Sequence, residues 1–405
     1  MTRRLVFLTP EFVTEPYFSG GVANYINRLS FLFAQAGHDV HVVTLSDREE
    51  ALWHGKVRVH RIMEREYIPR LTPGLRRLGL WATEEAVRRS LRFAQEVKRL
   101  HREAPLDLVH HCHNAFPTLF LPPRFPVPVL VMIASFDALW QAEDGLPVNY
   151  DRWTCNLFHY FQHRRATRIF SPSHWLIDVH RERWGLKNID FLPIPMVLHD
   201  IRETPGTTEK LGLSGKPYFL FFGRFQRLKG VNHLAEAVAR TLPENPEWHA
   251  VFAGRDSLFL GPDVPMSQYI RHVTEKVAPR VHLLPPLRHE ELYPVIRQAQ
   301  FVVLPTRADN LPNVLLEAIR LGKPVLTTYG TSMDEVIQDG YNGILVNKGN
   351  TDALVQGLQR MISLPENERE RMGCNAFETS LGYEEDRLFP EIVRYYESLI
   401  RERHG

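Results

Sequence analysis

Features that would place this sequence in several large protein classes are scarce or absent. There are only 3 cysteines among the 405 residues, and their scattered positions fit neither a disulfide framework nor a metal-ligand spacing. No apolar run approaches the length of a membrane span, and no segment repeats with the period of a solenoid. The 49 basic and 47 acidic residues nearly balance, which argues against a general nucleic-acid binder. We therefore expect a globular protein of the reducing cytoplasm that binds no nucleic acid.

The chain has the length and the pattern of two α/β domains. Apolar runs alternate with helical segments in both halves, which predicts doubly wound parallel sheets. Residues 191–217 have the polar, proline-containing composition of a connection between domains. We place the first domain at 1–195 and the second at 196–385, followed by a last helix at 386–405. The predicted strands are 5–9, 39–45, 57–62, 107–111 and 128–133, then 218–222, 249–253, 281–284, 301–304 and 325–328.

Glycine and histidine residues follow predicted strands of the first half, where open α/β sheets bind ligands. Gly20 and Gly21 lie between the first strand and the first helix. Either a ligand phosphate approaches their amides, or a tight turn requires them. His113 comes at the end of the fourth strand, in a run that has no second ligand set at metal-binding spacing. We predict a substrate contact by His113 and no metal site.

Two longer segments of the first half are candidates for contacts with partners. The loop 134–150 carries Asp137 and Trp140, and long loops at this edge of a sheet commonly hold a substrate. Residues 61–102 form the most basic region, with apolar residues interleaved at helical spacing. This pattern is typical either of the solvated face of an ordinary helix or of a peripheral contact with an anionic membrane.

A pair of cations follows the first predicted strand of the second half. Arg224 comes shortly after the strand, and Lys229 lies five residues further on, across a short loop. Two cations at the carboxyl end of a parallel strand are suited to clamp a diphosphate through charge-assisted hydrogen bonds. We therefore predict a diphosphate-binding site at this position.

The segment 301–327 carries two carboxylates on a strand–turn–helix–strand pattern. Asp309 lies in the turn and Glu317 in the helix. Helical side chains lean toward the N-terminus of their helix, so both acids can face the crevice at the edge of the sheet. The alternative is that Asp309 helps to cap the helix and Glu317 is a solvated surface acid. The turn 310–312 is expected to supply a helix cap, and Val314 is expected on the buried face.

These motifs, in order along nearly the whole chain, resemble those of the retaining GT-B glycosyltransferases of family 4. That family has a Gly-Gly loop after its first strand, a His-x-His after a later strand, Gly-Arg followed by Lys-Gly, and two acids separated by seven residues. The matching residues are Gly20, Gly21, His111, His113, Gly223, Arg224, Lys229, Gly230, Asp309 and Glu317. The first acid is more usually glutamate in the family, and here it is the shorter aspartate.

The resemblance implies a GT-B fold, in which two Rossmann-like domains face each other across a cleft and the last helix crosses back to the N-terminal domain. It implies that Arg224 and Lys229 bind the pyrophosphate of a donor and that Glu317 binds its ribose. The implied catalytic residues are His113, Asp309, Arg224 and Lys229. The implied donor contacts are Gly20, Gly21, Arg224, Lys229, Asn310, Leu311, Pro312, Asn313 and Glu317.

The function that the resemblance implies is retaining transfer of a sugar from a nucleotide diphosphate sugar to a hydroxyl acceptor. A UDP-sugar is favoured over a GDP-sugar, in the synthesis of a glycan, a glycolipid or a glycosylated metabolite. Asp137 and Trp140 then belong to the acceptor site. Because the chain offers cations but no Asp-x-Asp motif, we expect transfer without a metal ion or a cofactor. A nucleotide-sugar 2-epimerase of the same fold and a non-catalytic nucleotide-sugar-binding subunit remain as alternatives.

Overall fold

The chain forms two compact units. The structure, a computed structural model, describes residues 2–16, 21–63, 72–114, 116–146, 149–196, 203–259 and 264–404. The first unit comprises Met1–Ala138, Pro147–Pro193 and Leu388–Gly405, and the second comprises Leu139–Leu146 and Ile194–Arg387. Each unit is built on a sheet of its own.

The described strands of the first unit form one eight-stranded sheet. They are β1 Arg4–Thr9, β2 Asp39–Ser46, β3 Glu50–His54, β4 Val57–Met63, β5 Leu108–Cys112, β6 Val129–Met132, β7 Arg168–Ser171 and β8 Ile189–Phe191. Their order in the sheet is β3-β4-β2-β1-β5-β6-β7-β8. The central strands β1 and β5 are buried almost throughout, which explains their continuous apolar character.

Helices cover the first sheet, and one of them comes from the far end of the chain. They are α1 Gly21–Gln35, α2 Thr72–Arg77, α3 Trp81–Glu103, α5 Tyr150–Arg165 and α6 His174–Trp184. Helix α4, Asp137–Glu143, starts in the first unit, and its residues from Leu139 onward belong to the second. The C-terminal helix, Glu385–His404, packs on α1, since the ring of Phe33 lies 5.1 Å from that of Phe389 and 4.7 Å from that of Tyr396. The Tyr395 hydroxyl also donates a hydrogen bond of 2.6 Å to Asp190 in β8.

The second unit contains a six-stranded parallel sheet. Its strands are β9 Tyr218–Phe222, β10 His249–Ala253, β11 Val281–Leu284, β12 Phe301–Leu304, β13 Val325–Tyr329 and β14 Gly343–Asn347, in the order β11-β10-β9-β12-β13-β14. Its helices are α7 Thr207–Lys210, α8 Val231–Thr241, α9 Met266–Val273, α10 His289–Gln298, α11 Asn313–Arg320, α12 Thr351–Ser363 and α13 Glu366–Ser380, and the C-terminal helix Glu385–His404 is α14.

The α/β alternation predicted from the sequence is confirmed in both units, with differences at the strands β3, β8 and β14, which were not predicted, and at helix α4. Strand β3 pairs antiparallel with β4, so the first sheet is mixed rather than wholly parallel. No crossover helix lies between β3 and β4, because a short turn at Gly55 joins the two strands directly. Gly55 has a φ of 59°. Helix α4 lies inside the segment predicted to be the loop 134–150. None of its residues is buried, so it lacks the apolar periodicity from which helices are predicted.

In the described part of the chain, no helix combines the length and the apolar character that are needed to cross a lipid bilayer.

Candidate functional site

Two glycine loops lie side by side at the carboxyl edge of the second sheet. Gly223 follows β9 and Gly254 follows the neighbouring strand β10. A Cβ atom at Gly254 would lie 1.8 Å from the carbonyl oxygen of Gly223, and the φ of Gly254 is 152°. Only glycine permits this approach at position 254, whereas at position 223 glycine is favoured by its φ of 138°. The next residue after Gly223 is Arg224, whose side chain is therefore carried at this edge and is exposed.

A second close approach places Lys229. This residue ends the 3₁₀ turn Arg227–Lys229, and Gly230 follows it with a φ of 71°. A Cβ atom at Gly230 would lie 2.0 Å from the carbonyl oxygen of Pro305, directly after β12. The turn therefore packs on the backbone that leaves β12, and Lys229 is brought to the residues that follow that strand.

Lys229 and Asp309 form an ion pair. The ammonium group of Lys229 donates to Oδ2 of Asp309, and the two side chains are 19% and 13% exposed. The other oxygen of Asp309 accepts from the amide of Asn310 at 3.1 Å. Helix α11 begins at Asn313, with Pro312 as N-cap and no capping hydrogen bond from a side chain. The expectation that the 310–312 turn supplies a side-chain cap is therefore wrong, and Asp309 is the partner of a cation.

The turn between Asp309 and α11 is held in an unusual backbone conformation. Leu311 has a φ of 39°, which is rare for a residue other than glycine. Its amide donates to the Ser332 hydroxyl at 3.0 Å, and that hydroxyl donates to the carbonyl of Asp309 at 2.9 Å. The N-cap residue Pro312 offers no side-chain hydrogen bond, so the Asn313 amide at the start of α11 is suited to an anion or a hydroxyl oxygen. Sequence reasoning did not single out Ser332, which lies 21 residues beyond Leu311.

Glu317 lies on α11 beside His289, the first residue of α10. Nε2 of His289 is 3.7 Å from Oε1 of Glu317, and the Glu317 side chain is 16% exposed. The neighbouring carboxylate of Glu317 raises the pKa of His289 above its ordinary value. The buried residues of α11 include Leu316, whereas Val314, expected on the buried face, is half-buried.

Part of the loop 134–150 contacts the turn Arg227–Lys229 and Arg307, and the substrate contact predicted for this loop stays a prediction. The Leu228 amide donates to Oδ1 of Asp144 at 2.9 Å, and Glu143 forms an ion pair of 2.6 Å with Arg307. Both acids belong to the 139–146 segment of the second unit, as does the half-buried Trp140. Glu143 and Asp144 belong to no sequence motif. Only their position in the loop 134–150 could have indicated a functional role.

Two buried histidines flank the half-buried carboxylate of Asp137 in the first unit. Nε2 of His113 lies 3.3 Å from Oδ1 of this carboxylate, and Nε2 of His159 lies 3.1 Å from Oδ2. The Ser135 hydroxyl donates to Asp137 at 2.7 Å. Burial raises the pKa of Asp137, but attraction to His159 and the hydrogen bond from His113 outweigh it and hold the pKa well below its usual range. Burial lowers the pKa of His113, so the ring is neutral at pH 7.

The tautomer of His113 is set by the backbone. Nδ1 of His113 accepts the amide of Ala134 at 3.0 Å, so the proton of the neutral ring is on Nε2, which faces Asp137 and Ser135. His113 is 1% exposed, and both of its ring nitrogens have partners. A direct contact with a sugar would require one of these bonds to open. The predicted substrate contact by His113 stays a prediction.

The geometry of this cluster could suggest a metal site. The ligand atoms of His113, Asp137 and His159 lie within 4.8 Å of one another, although the sequence spacing showed no ligand set because these residues are far apart in the chain. However, a metal at Nε2 of His113 needs the lone pair of an atom that here carries a proton. As arranged, the cluster is a hydrogen-bond network and does not fit a metal ion.

The two glycines predicted to contact a phosphate are only partly described. Gly20 lies outside the described residues. Gly21 is the first residue of α1, and a Cβ atom there would meet nothing within 4 Å. Packing therefore gives no reason for glycine at position 21.

Comparison with solved structures defines the class of fold. Sucrose-phosphate synthase from Thermosynechococcus elongatus superposes with a TM-score of 0.79 at 19% identity, covering 99% of this chain and all of that one. Anabaena HepE, solved in complex with UDP and glucose, superposes with a TM-score of 0.72 at 15% identity, covering 98% of this chain and all of that one. The fold is the GT-B type, built from two Rossmann-like α/β units.

Sequence comparison defines the family. Residues 19–195 match the family described as Glycosyltransferase Family 4, and residues 206–379 match that described as Glycosyl transferases group 1. The alpha-D-kanosaminyltransferase of Streptomyces kanamyceticus is 30% identical over 293 residues, which span 69% of this chain and 73% of that protein. The D-inositol 3-phosphate glycosyltransferase of Thermobifida fusca is 28% identical over 209 residues, about half the length of each chain. The chain belongs to the group 1 glycosyltransferases and is an enzyme of the transferase class.

Proposed function

We propose that this protein transfers a sugar from a nucleotide diphosphate sugar to a hydroxyl group of an acceptor, with retention of the anomeric configuration. The observation that carries the proposal is the Lys229–Asp309 ion pair near the exposed Arg224 at the carboxyl edge of a Rossmann-like sheet. Ligands of open α/β sheets bind at this edge. A lysine and an arginine there suit two phosphates, and a carboxylate suits sugar hydroxyls.

The donor replaces one partner of the ion pair. In the proposed complex Lys229 turns to the diphosphate together with Arg224, and the released carboxylate of Asp309 accepts a hydrogen bond from the sugar. Pro312 has no amide hydrogen and the Leu311 amide donates to Ser332, so the donors to the sugar hydroxyls are the Asn313 amide and, once Asp309 turns to the sugar, the Asn310 amide. Glu317 accepts from the ribose hydroxyls, with His289 holding the carboxylate in place.

These residues stabilise the leaving group. When the bond between the anomeric carbon and the diphosphate oxygen breaks, negative charge grows on that oxygen, and the two cations and the N-terminus of α11 oppose it. The acceptor oxygen forms its bond on the same face of the sugar. Its proton passes to the departing phosphate oxygen. Configuration is retained, and no covalent bond to the protein and no metal ion is required.

Asp137 is the proposed acceptor contact. It is the most accessible member of its cluster, with 30% of its side chain exposed, and it is ionised because its pKa is strongly lowered. An ionised carboxylate accepts a hydrogen bond from an acceptor hydroxyl. His113 and His159 donate to its two oxygens and thereby fix its orientation. Trp140 remains a proposed acceptor contact on the strength of its position in the same loop.

Uridine is the favoured base, and guanosine is the alternative. Anabaena HepE, which shares the fold, was solved with UDP and glucose. The experiment is a thermal-shift series with UDP-, GDP- and ADP-sugars, followed by transfer and hydrolysis assays with each stabilising donor. We expect stabilisation by one nucleotide and release of its diphosphate when an acceptor is supplied.

Arg224→Ala tests the diphosphate site, with Arg240→Ala as the matched control. Arg240 is an exposed cation that pairs with Asp352 on the surface of the same unit. We expect about a 5- to 150-fold loss of nucleotide diphosphate affinity in Arg224→Ala, the range of a charge-assisted hydrogen bond, and none in the control. Equal affinity for the diphosphate in both variants would rule out this assignment of the diphosphate site.

Interconversion of donor sugars without transfer would indicate the epimerase, and binding without either reaction would indicate a non-catalytic subunit.

A further inference from the structure

The first unit exposes a group of large apolar side chains that its fold does not use. Leu78 is 71% exposed, Trp81 60%, Tyr150 67% and Trp153 53%. We refer to these four residues as the aromatic patch. Single exposed apolar residues are ordinary on protein surfaces, whereas several at one place indicate a contact.

One carboxylate holds the two parts of the aromatic patch together. Asp151, in the first turn of α5, accepts the amides of Ala82 and Thr83 at the start of α3, at 2.7 and 2.9 Å. The Thr83 hydroxyl donates to the carbonyl of Asp151 at 3.1 Å. Trp81 is the first residue of α3, and Tyr150 is the first residue of α5. The two helix starts are therefore joined, with aromatic residues on either side of the joint.

The rings make contacts within the patch and with a neighbouring arginine. Tyr150 and Trp153 are stacked, with centroids 5.9 Å apart and planes 18° apart. The guanidinium of Arg76 lies 5.4 Å from the centre of the Trp81 ring. Ordered rings lose little conformational freedom on binding, which favours a contact made through them.

The charge around the patch is positive. Glu84 is buried and paired with Arg76 and Arg88, and Glu85 is paired with Arg89. The exposed Arg77 lies between Arg76 and Leu78 in the chain. In the chain segments 76–89 and 150–153, which carry the patch, the arginines Arg76, Arg77, Arg88, Arg89 and Arg152 outnumber the carboxylates Glu84, Glu85 and Asp151.

We propose that the aromatic patch is a docking surface for an anionic lipid bilayer. Tryptophan and tyrosine favour the interface of a bilayer, because their rings enter the acyl boundary while their polar atoms stay hydrated. Arginines beside them attract anionic headgroups. The basic segment 61–102 contributes Leu78 and Trp81, but residues 64–71 of that segment lie outside the described residues. Helix α5 contributes the other half, which no basic motif indicated.

The test uses the full chain with two kinds of vesicle, phosphatidylcholine alone and phosphatidylcholine mixed with phosphatidylglycerol. We expect sedimentation with the mixed vesicles at low salt, weakening as salt rises, and a blue shift of tryptophan fluorescence. The double variant Trp81→Ala/Trp153→Ala should bind on the order of tenfold more weakly. Arg77→Gln should bind about fivefold more weakly, which is the effect of one cation near an anionic surface.

Trp53→Ala is the matched control. Trp53 is 64% exposed and lies 5.6 Å from the guanidinium of Arg58, on strand β3 of the same unit. This variant should bind the mixed vesicles like the parent, and all variants should keep the parent's thermal unfolding temperature. No binding at low salt, or an equal loss in Trp53→Ala, would overturn the proposal. A dimer in sedimentation velocity that the double variant abolishes would also overturn it, because a second copy of the chain would then cover the patch.

Discussion

We predict that substitutions of Lys229 and of Asp309, the two partners of the ion pair, have opposite effects on the affinity for the nucleotide diphosphate. Lys229→Met removes the charge while nearly keeping the length of the side chain. In the free protein it leaves Asp309, 13% exposed, without its cation. Surface pairs contribute at most about 1 kcal/mol and buried pairs 3–5 kcal/mol when one partner is removed. For this partly buried pair we expect a loss of about 1–2 kcal/mol of unfolding free energy.

The effect on donor binding separates the two residues. Lys229→Met should bind the nucleotide diphosphate about 5- to 150-fold more weakly, the equivalent of about 1–3 kcal/mol for a charge-assisted hydrogen bond. Asp309→Asn should bind the same diphosphate at least as tightly as the parent. It frees the lysine and removes a negative charge near the phosphates. This second variant should nevertheless lose sugar transfer, since its amide replaces the carboxylate that accepts from the sugar.

Isothermal titration with the diphosphate measures the affinities, and urea unfolding measures the stabilities. Arg240→Met, which breaks the exposed pair with Asp352, is the control for loss of a cation and should change neither by more than the error of the measurement. If Lys229→Met binds the diphosphate as the parent does, the lysine is only the structural partner of Asp309. If Asp309→Asn binds it much more weakly, the exchange of partners is wrong.

Three further predictions concern the same site. Gly230→Ala should lower both the stability and the affinity for the diphosphate, because the new Cβ would lie 2.0 Å from the Pro305 carbonyl oxygen and would displace the turn that holds Lys229. Unaltered titration and unfolding curves would contradict this contact. Pairing with Glu317 raises the pKa of His289, so the stability that this pair contributes is fully present below pH 6.5 and is lost as the pH rises through the raised pKa. We therefore expect His289→Gln to flatten the stability–pH curve in this range. Transfer should be unchanged in EDTA, and recovery of lost activity on adding magnesium or manganese would show that a metal stabilises the leaving group.

Much of the fold was accessible from the sequence because buried parallel strands are short and continuously apolar. Strand β10 was predicted at 249–253 and is found at His249–Ala253, and β9 was predicted at 218–222 and is found at Tyr218–Phe222. Strand β3 was missed because it is an edge strand of mixed exposure. Helix α4 was missed because none of its residues is buried.

The sequence by itself determined which chemical groups the chain carries and at which strand ends they lie. Arg224, Lys229, Asp309 and Glu317 follow from motif spacing, since the carboxyl ends of parallel strands share one edge of a sheet. Only the tertiary structure decided that Lys229 and Asp309, 80 residues apart, are partners. That pairing depends on Gly230, which packs against the carbonyl oxygen of Pro305 after β12. Such a contact between distant residues produces no periodic pattern in the sequence.

The first unit shows the same division between local pattern and tertiary contact. The sequence placed His113 at the end of a strand, but its tautomer was decided by the Ala134 amide and the orientation of Asp137 by His159, 22 residues further along the chain. Likewise, no pattern in the sequence placed the aromatic residues at the starts of α3 and α5 together. The hydrogen bond from the Ala82 amide to Asp151 brings the two helix starts into contact. Hydrophobic periodicity depends on neighbours within one element, whereas hydrogen bonds between elements depend on where the whole chain places them.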